Sequence, residues 1–111
     1  MGPRKYLGEF ERIVLFAILH LHGNAYGMRI RQEIKDRSSR TTSLGAIYTT
    51  LERLEAKGFV SSWTGDPSPE RGGRAKRFFK LEAAGQQALA QAEEVTASMA
   101  VPFPLSLVPN A

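Results

Sequence analysis

Cysteine is absent from this 111-residue chain, so the sequence offers neither a disulfide framework nor a thiolate metal site. No apolar run approaches the roughly 20 residues that span a bilayer. The N-terminal stretch also lacks the charged-then-apolar layout of a signal peptide. A chain of this length supports one domain with a modest core. These features predict a cytoplasmic, single-domain globular protein.

Side chains that could carry catalysis are scarce. The histidines, His20 and His22, stand two apart on a predicted helix and therefore point in different directions. Both fit the end of a helix, where the dipole favours positive charge. No glycine-rich phosphate loop follows a strand, no metal-ligand spacing occurs, and no nucleophile has an evident base. The sequence predicts no enzymatic activity, no cofactor and no metal.

Basic side chains are missing from the last 30 residues. Residues 1–58 carry 10 Lys/Arg against 6 Asp/Glu, residues 59–81 carry 5 against 2, and residues 82–111 carry none against 3. This asymmetry suggests one part that faces a polyanion and another with a different task. Random variation over a solvated surface is the alternative that charge alone leaves open.

Apolar periodicity and helix-stop signals predict six elements. The predicted order is α-α-α-β-β-α, mainly α with a small β-hairpin, which is the layout of a winged helix-turn-helix with an added C-terminal helix. The predicted helices cover 7–22, 25–37, a segment from an N-capping Ser43 to Gly58, and 82–100, and the predicted strands cover 59–65 and 75–81.

Three parts follow from this order. We expect residues 1–81 to form the winged helix-turn-helix DNA-binding domain and residues 82–100 to form a dimerisation helix. The proline-rich residues 101–111 are expected to be an extended or disordered tail.

The third predicted helix has poor helix formers only in its first half. On a helical wheel its leucines and isoleucine form a compact core face, and small or hydroxyl-bearing residues lie opposite. Gly45 costs on the order of 1 kcal/mol in helix propensity. Small side chains let a helix approach base edges, and threonine can hydrogen-bond a base or contact a thymine methyl. Tight helix packing at Gly45 and neutral drift are the alternatives. The candidate DNA contacts of this helix are Ser43, Gly45, Ala46, Thr49 and Arg53.

The hairpin loop is the second basic feature. Its glycine pair tolerates positive φ and exposes backbone N–H groups, and arginines flank it on both sides. This composition predicts a clamp for DNA phosphates at or near the minor groove, and a solvated charged turn is the alternative. The candidate wing contacts are Arg71, Gly72, Gly73, Arg74, Lys76 and Arg77.

Aromatic residues occupy both predicted strands. Strand alternation places Phe79 and Leu81 on one face and Phe78 on the other. Trp63 is interpreted as packing the hairpin onto the core, and stacking on a planar ligand is the alternative.

Four segments together resemble the PadR family of bacterial transcriptional regulators, over roughly residues 6–90. They are LGEFERIVLFAIL, AYGMRIRQEI, SLGAIYTTLERLEAKGFV and PERGGRAKRFFKLEAAG. The resemblance implies a winged helix-turn-helix homodimer, with the C-terminal helix packed against the N-terminal helix of the partner. It also implies repression of a nearby promoter, relieved in some members by a small molecule, and a tyrosine at the DNA, which here is Tyr48. The chain is similar to the short subgroup with one C-terminal helix, and departs from it in its Ala-rich last helix and its proline-rich tail.

The first helix also favours a dimer, because it is apolar nearly all round and a small domain cannot bury every face. A dimer on double-stranded DNA implies a near-palindromic operator. The candidate effector and dimer seam lies between the first and last helices, near Phe10, Val14 and Met99. The alternative function is a winged-helix interaction module whose basic wing meets an acidic protein partner.

Overall fold

The computed structural model describes residues 6–65 and 75–102. It contains four helices and one two-stranded antiparallel sheet in the order α-α-α-β-β-α, which confirms the predicted layout. The elements are α1 (Glu9–Leu21), α2 (Gly27–Ser38), α3 (Leu44–Ala56), β1 (Val60–Thr64), β2 (Arg77–Leu81) and α4 (Ala83–Met99).

The first two helices begin two residues later than predicted. At α1, the backbone N–H of Gly8 donates to Glu11 Oε1 at 2.8 Å, which fixes Gly8 as the extended residue before the helix. At α2, the Phe79 N–H donates to the Ala25 carbonyl at 2.8 Å, and Tyr26 forms a bridge to Phe78. These tertiary hydrogen bonds hold residues 25 and 26 extended, so the helix starts at Gly27.

The core lies between α1, α2, α3 and the inner face of the hairpin. Val14 and Leu15 of α1 are completely buried, and so are Ile47, Leu51 and Leu54 of α3. The predicted core face of α3 is therefore confirmed, with Leu44 only half-buried at its start. Thr50 is buried as well, so this threonine does not belong to the exposed side of the helix.

The hairpin has two different faces. Phe79 is buried in the core, whereas Phe78 on the outer face stacks on Trp63 with ring centroids 5.6 Å apart. Phe78 also meets the edge of Tyr26 at 5.6 Å. The interpretation of Trp63 as a core-packing residue is wrong, because the register pairs it with Phe78 on the outer face, where it is 42% exposed.

The buried residues of helix α4 lie in its first half. Gly85 and Leu89 are buried, whereas Val95 and Met99 in its second half are exposed. No helix among the described residues is long and apolar enough to cross a membrane.

We predict that Gly85→Ala destabilises the protein by about 3 kcal/mol. A Cβ at Gly85 would lie 2.2 Å from the Phe59 carbonyl oxygen and 2.7 Å from Leu81 Cδ1, so backbone would have to move. Urea unfolding followed by circular dichroism measures the change. Gly45→Ala is the matched control, since a Cβ there meets nothing within 4 Å and gains up to about 1 kcal/mol of helix propensity. Equal stability of the two variants would contradict the prediction.

Candidate nucleic-acid interface

The exposed half of α3 begins at a defined cap. Ser43 Oγ accepts a hydrogen bond from the Ala46 N–H at 3.1 Å, which confirms Ser43 as the N-cap. Gly45, Ala46 and Thr49 are exposed on the side opposite the buried stripe. Because a Cβ at Gly45 would touch nothing within 4 Å, tight helix packing does not explain this glycine.

Tyr48 lies at the border of this surface. It is half-buried, and a Cβ at Gly27 would lie 2.6 Å from both Cζ and Oη of the Tyr48 ring. The ring therefore covers the first residue of α2 and links the two helices of the helix-turn-helix. Glycine at position 27 is what allows this approach.

The basic side chains of the described residues fall into two groups. One group forms ion pairs within the chain: Arg12–Glu93, Arg37–Glu33, Arg40–Glu9, Lys57–Glu11, Arg77–Glu55 and Lys80–Glu82. The other group makes no ion pair with the described residues and consists of Arg29, Arg31 and Lys35 on α2, Arg53 on α3, and Lys76 just before β2. The unpaired cations thus lie in the helix-turn-helix and the hairpin.

The α2 cations were not among the predicted DNA contacts. Arg31 and Lys35 line a groove of about 190 Å³ together with Thr41 and Thr42 of the following turn. Thr42 Oγ1 is buried there without a hydrogen-bond partner among the described residues. The sequence shows that these cations lie off the apolar stripe of α2. Only the tertiary structure shows that the following turn lies beside them and completes the groove.

The structure describes only two of the predicted wing contacts, Lys76 and Arg77. Arg71, Gly72, Gly73 and Arg74 lie outside the described residues. Lys76 Nζ lies 4.7 Å from the centroid of the Tyr26 ring, a cation–π contact that leaves it half-exposed. Arg77 is bound by Glu55 of α3 instead of projecting alone.

The three residues predicted for the effector and dimer seam do not line one groove. Val14 is completely buried in the core and so is inaccessible to an effector or a second chain. Phe10 lies under the guanidinium of Arg40 at 5.4 Å, and Met99 is exposed at the end of α4. The groove between α1 and α4, of about 310 Å³, is lined instead by Tyr6, Leu7, Arg12, Ala88, Gln91, Ala92, Val95 and Thr96.

Within residues 6–65 and 75–102, no group of three His, Cys, Asp or Glu side chains could hold a metal ion. The described residues present an exposed helix face beside cations that pair with none of their carboxylates, which suits a surface for binding a polyanion.

Comparison with solved structures supports the architecture. A PadR family transcription regulator from Clostridium difficile is 22% identical, with a TM-score of 0.66 over 81% of this chain and 90% of that one. A PadR-like transcriptional regulator from Bacillus cereus is 17% identical, with a TM-score of 0.66 over 80% and 82%. Bacillus subtilis PadR, solved with operator DNA, is 18% identical, with a TM-score of 0.65 over 91% of this chain and 54% of that chain.

No curated protein matches the sequence. The profile described as "Transcriptional regulator PadR-like family" matches residues 15–91, which is more than half of the chain. The protein therefore belongs to the PadR-like family, whose members are transcriptional regulators and not enzymes.

Proposed function

We propose that this protein is a sequence-specific DNA-binding regulator that acts in the cytoplasm as a dimeric repressor of a nearby promoter. The observation that carries the proposal is the exposed small-residue face of α3 beside cations that have no partner within the described chain. The similar Bacillus subtilis protein was solved with operator DNA, which supports the same ligand class here.

In this proposal α3 enters the major groove with its N-terminal half. Gly45 and Ala46 let the helix backbone come close to the bases, and Thr49 contacts a base edge. Arg53 and the α2 cations pair with phosphates, which supplies affinity that depends on salt. Tyr48 and Ser43 sit at the edge of the same surface. The loop arginines and glycines at 71–74 are proposed to clamp phosphates at or near the minor groove, with Lys76 beside them.

We predict that Arg53→Ala weakens operator binding and lowers the slope of log affinity against log salt concentration by about 1, because one phosphate contact is lost. Thr49→Ala on the same face is the matched control. It should change the preference between operator variants by up to about tenfold and leave the salt slope unaltered, since a base contact releases no counterion. Fluorescence anisotropy with labelled operator, titrated with salt, measures both. An unchanged slope for Arg53→Ala would show that Arg53 does not contact a phosphate.

The same titration tests the alternative function, binding of an acidic protein by the basic surface. An operator fragment from the promoter of its own gene is compared with bulk DNA of equal length. Tight, selective and salt-sensitive binding supports the regulator. Binding without any preference for the operator supports the interaction module.

We propose that two copies pair through α1 and α4. Phe16 and Leu19 on the outer side of α1 are each 38% exposed. In the second half of α4, the apolar side chains of Val95 and Met99 are exposed as well. Packing of the second half of α4 from one copy against α1 of the other would bury both surfaces. Two recognition helices would then face one near-palindromic operator.

We predict that Met99→Glu raises the dimer dissociation constant by at least tenfold, because a charge would be buried in an apolar interface. Met28→Glu is the matched control, since Met28 is an exposed methionine on α2, outside the proposed interface. Their exposed fractions are 77% for Met99 and 56% for Met28. Sedimentation equilibrium gives both constants. If the two variants dimerise equally, the proposed interface is wrong.

We propose further that a small apolar or aromatic effector, where one acts, binds the α1–α4 groove in place of the predicted seam. The walls of this groove include Leu7, Ala92 and Val95. Arg12 also lines the groove, and its guanidinium donates hydrogen bonds to Glu93 Oε2 at 3.3 Å and to Thr96 Oγ1 at 3.1 Å. A ligand there would displace α4 relative to α1 and so change the spacing of the two recognition helices.

We predict that 8-anilinonaphthalene-1-sulfonate, an apolar aromatic anion, binds this groove and releases labelled operator. Ala92→Leu should reduce the release several-fold by filling the groove. Ala84→Leu makes the same change at an exposed position of α4 outside the groove and should leave the release unchanged. If the dye releases operator equally from both variants, it binds outside this groove.

A further inference from the structure

We infer that Glu55, Ser62 and Arg77 form a hairpin clamp that fixes the wing against the recognition helix, and that Arg77 is a positioning residue and not a phosphate contact. The inference rests on the proposed function for its effect on DNA binding. The clamp itself is a property of the protein without DNA.

The three side chains of the hairpin clamp come from three elements. Glu55 lies in the last turn of α3, Ser62 in β1 and Arg77 at the start of β2. Arg77 Nη2 donates to Glu55 Oε1, and Ser62 Oγ donates to Glu55 Oε2 at 2.7 Å. Arg77 Nε donates to Ser62 Oγ at 3.1 Å, so the hydroxyl relays between the two charged groups. Both carboxylate oxygens of Glu55 are therefore used.

The guanidinium is held from a second direction as well. Its Cζ lies 5.0 Å from the centroid of the Phe79 ring, which is buried in the core. A planar guanidinium suits this combination of fork-like hydrogen bonds and ring stacking, whereas the ammonium of lysine does not.

The position of the clamp determines what it can control. The base of the hairpin is anchored by the buried Val60 and Phe79 and by the Glu82 N–H, which donates to the Phe59 carbonyl at 2.9 Å. Arg77 pairs with Thr64 at the opposite end of the ladder, next to the loop.

On the outer face, Tyr26 and Phe78 brace the hairpin against the start of α2. Among the described residues, the hairpin clamp is the side-chain network that joins the loop end of the hairpin to α3. It therefore sets the angle at which the wing meets DNA already bound by that helix.

The charge balance argues against a phosphate contact by Arg77. Its positive charge is matched by Glu55, so the pair presents little net charge to DNA. A free carboxylate at the end of a recognition helix would repel phosphates. A role in holding Arg77 explains why Glu55 is present at this position.

The hairpin clamp and simple electrostatics predict opposite signs for the effect of one substitution, Glu55→Gln, on operator affinity. Glu55→Gln removes a negative charge near the DNA, which by electrostatics alone should strengthen operator binding. We expect it to weaken binding about three- to tenfold, because the wing loses its fixed angle. Glu52→Gln removes the same charge from an exposed α3 residue that has no hydrogen bond or ion pair with the described residues, and it should leave affinity equal or higher.

Arg77→Lys gives a second test, since it keeps the positive charge and removes the guanidinium, whose several N–H groups bind Glu55 and Ser62 together. Lysine would preserve a simple phosphate contact, so a three- to tenfold loss supports the clamp and wild-type affinity overturns it. In the Arg77→Ala background Glu55 has lost its cationic partner, and Glu55→Gln should then raise affinity. This reversal of sign within a double-mutant cycle is the specific signature.

A readout without DNA separates the clamp from the proposed function. Trp63, the single tryptophan of the chain, neighbours Ser62 in β1. Time-resolved fluorescence anisotropy should show a larger fast component in Glu55→Gln and Arg77→Lys than in wild type or Glu52→Gln, at unchanged helicity by circular dichroism.

If the wild-type protein fails to bind DNA, the proposed function fails, and the Trp63 measurement alone decides the clamp. A looser hairpin in both variants supports it. Unchanged anisotropy overturns it, and so does Glu55→Gln binding the operator as tightly as wild type.

Discussion

The burial of one face of α3 is the constraint on which the rest of the structure depends. Ile47, Leu51 and Leu54 are completely buried, and burial of each such side chain contributes roughly 1.5–3 kcal/mol relative to exposure. Because a helix repeats every 3.6 residues, fixing these three inward turns Gly45 and Thr49 outward. The exposed face of the helix is thus a geometric consequence of core packing.

Ion pairing then divides the basic side chains of the described residues into two groups. Pairs such as Arg12–Glu93 and Lys57–Glu11 join α1 to α4 and to α3. Exposed pairs of this kind contribute only about 0–1 kcal/mol each, although the buried carboxylate of Glu11 makes its pair costlier to break. Their larger consequence is electrostatic, since they neutralise about half of the described cations and leave Arg53 and the α2 residues Arg29, Arg31 and Lys35 without an ion-pair partner among the described residues. Those four cations give the helix-turn-helix its positive charge.

The sequence predicted the elements and the core face because both depend on local periodicity. Residues three and four apart share a helix face, so the α3 stripe and the Ser43 cap could be predicted correctly. Trp63 was assigned to the core incorrectly, since its face depends on pairing with Phe78 across the hairpin. Val14 was assigned to a seam because every face of α1 is apolar, and only packing shows which face is covered.

The amino-acid sequence by itself determined the helix-turn-helix order, the small-residue face of α3 and the family. Tertiary structure alone decided how the charges of separate elements pair. Glu55 and Arg77 are 22 residues apart, and no sequence period relates them, so their contact exists only once the hairpin has folded back along α3. Local propensity is encoded in neighbouring residues, whereas a contact between distant side chains requires the placement of whole elements. For that reason the sequence showed Arg77 as one more basic residue of the wing, and the fold shows it as a link between the wing and the recognition helix.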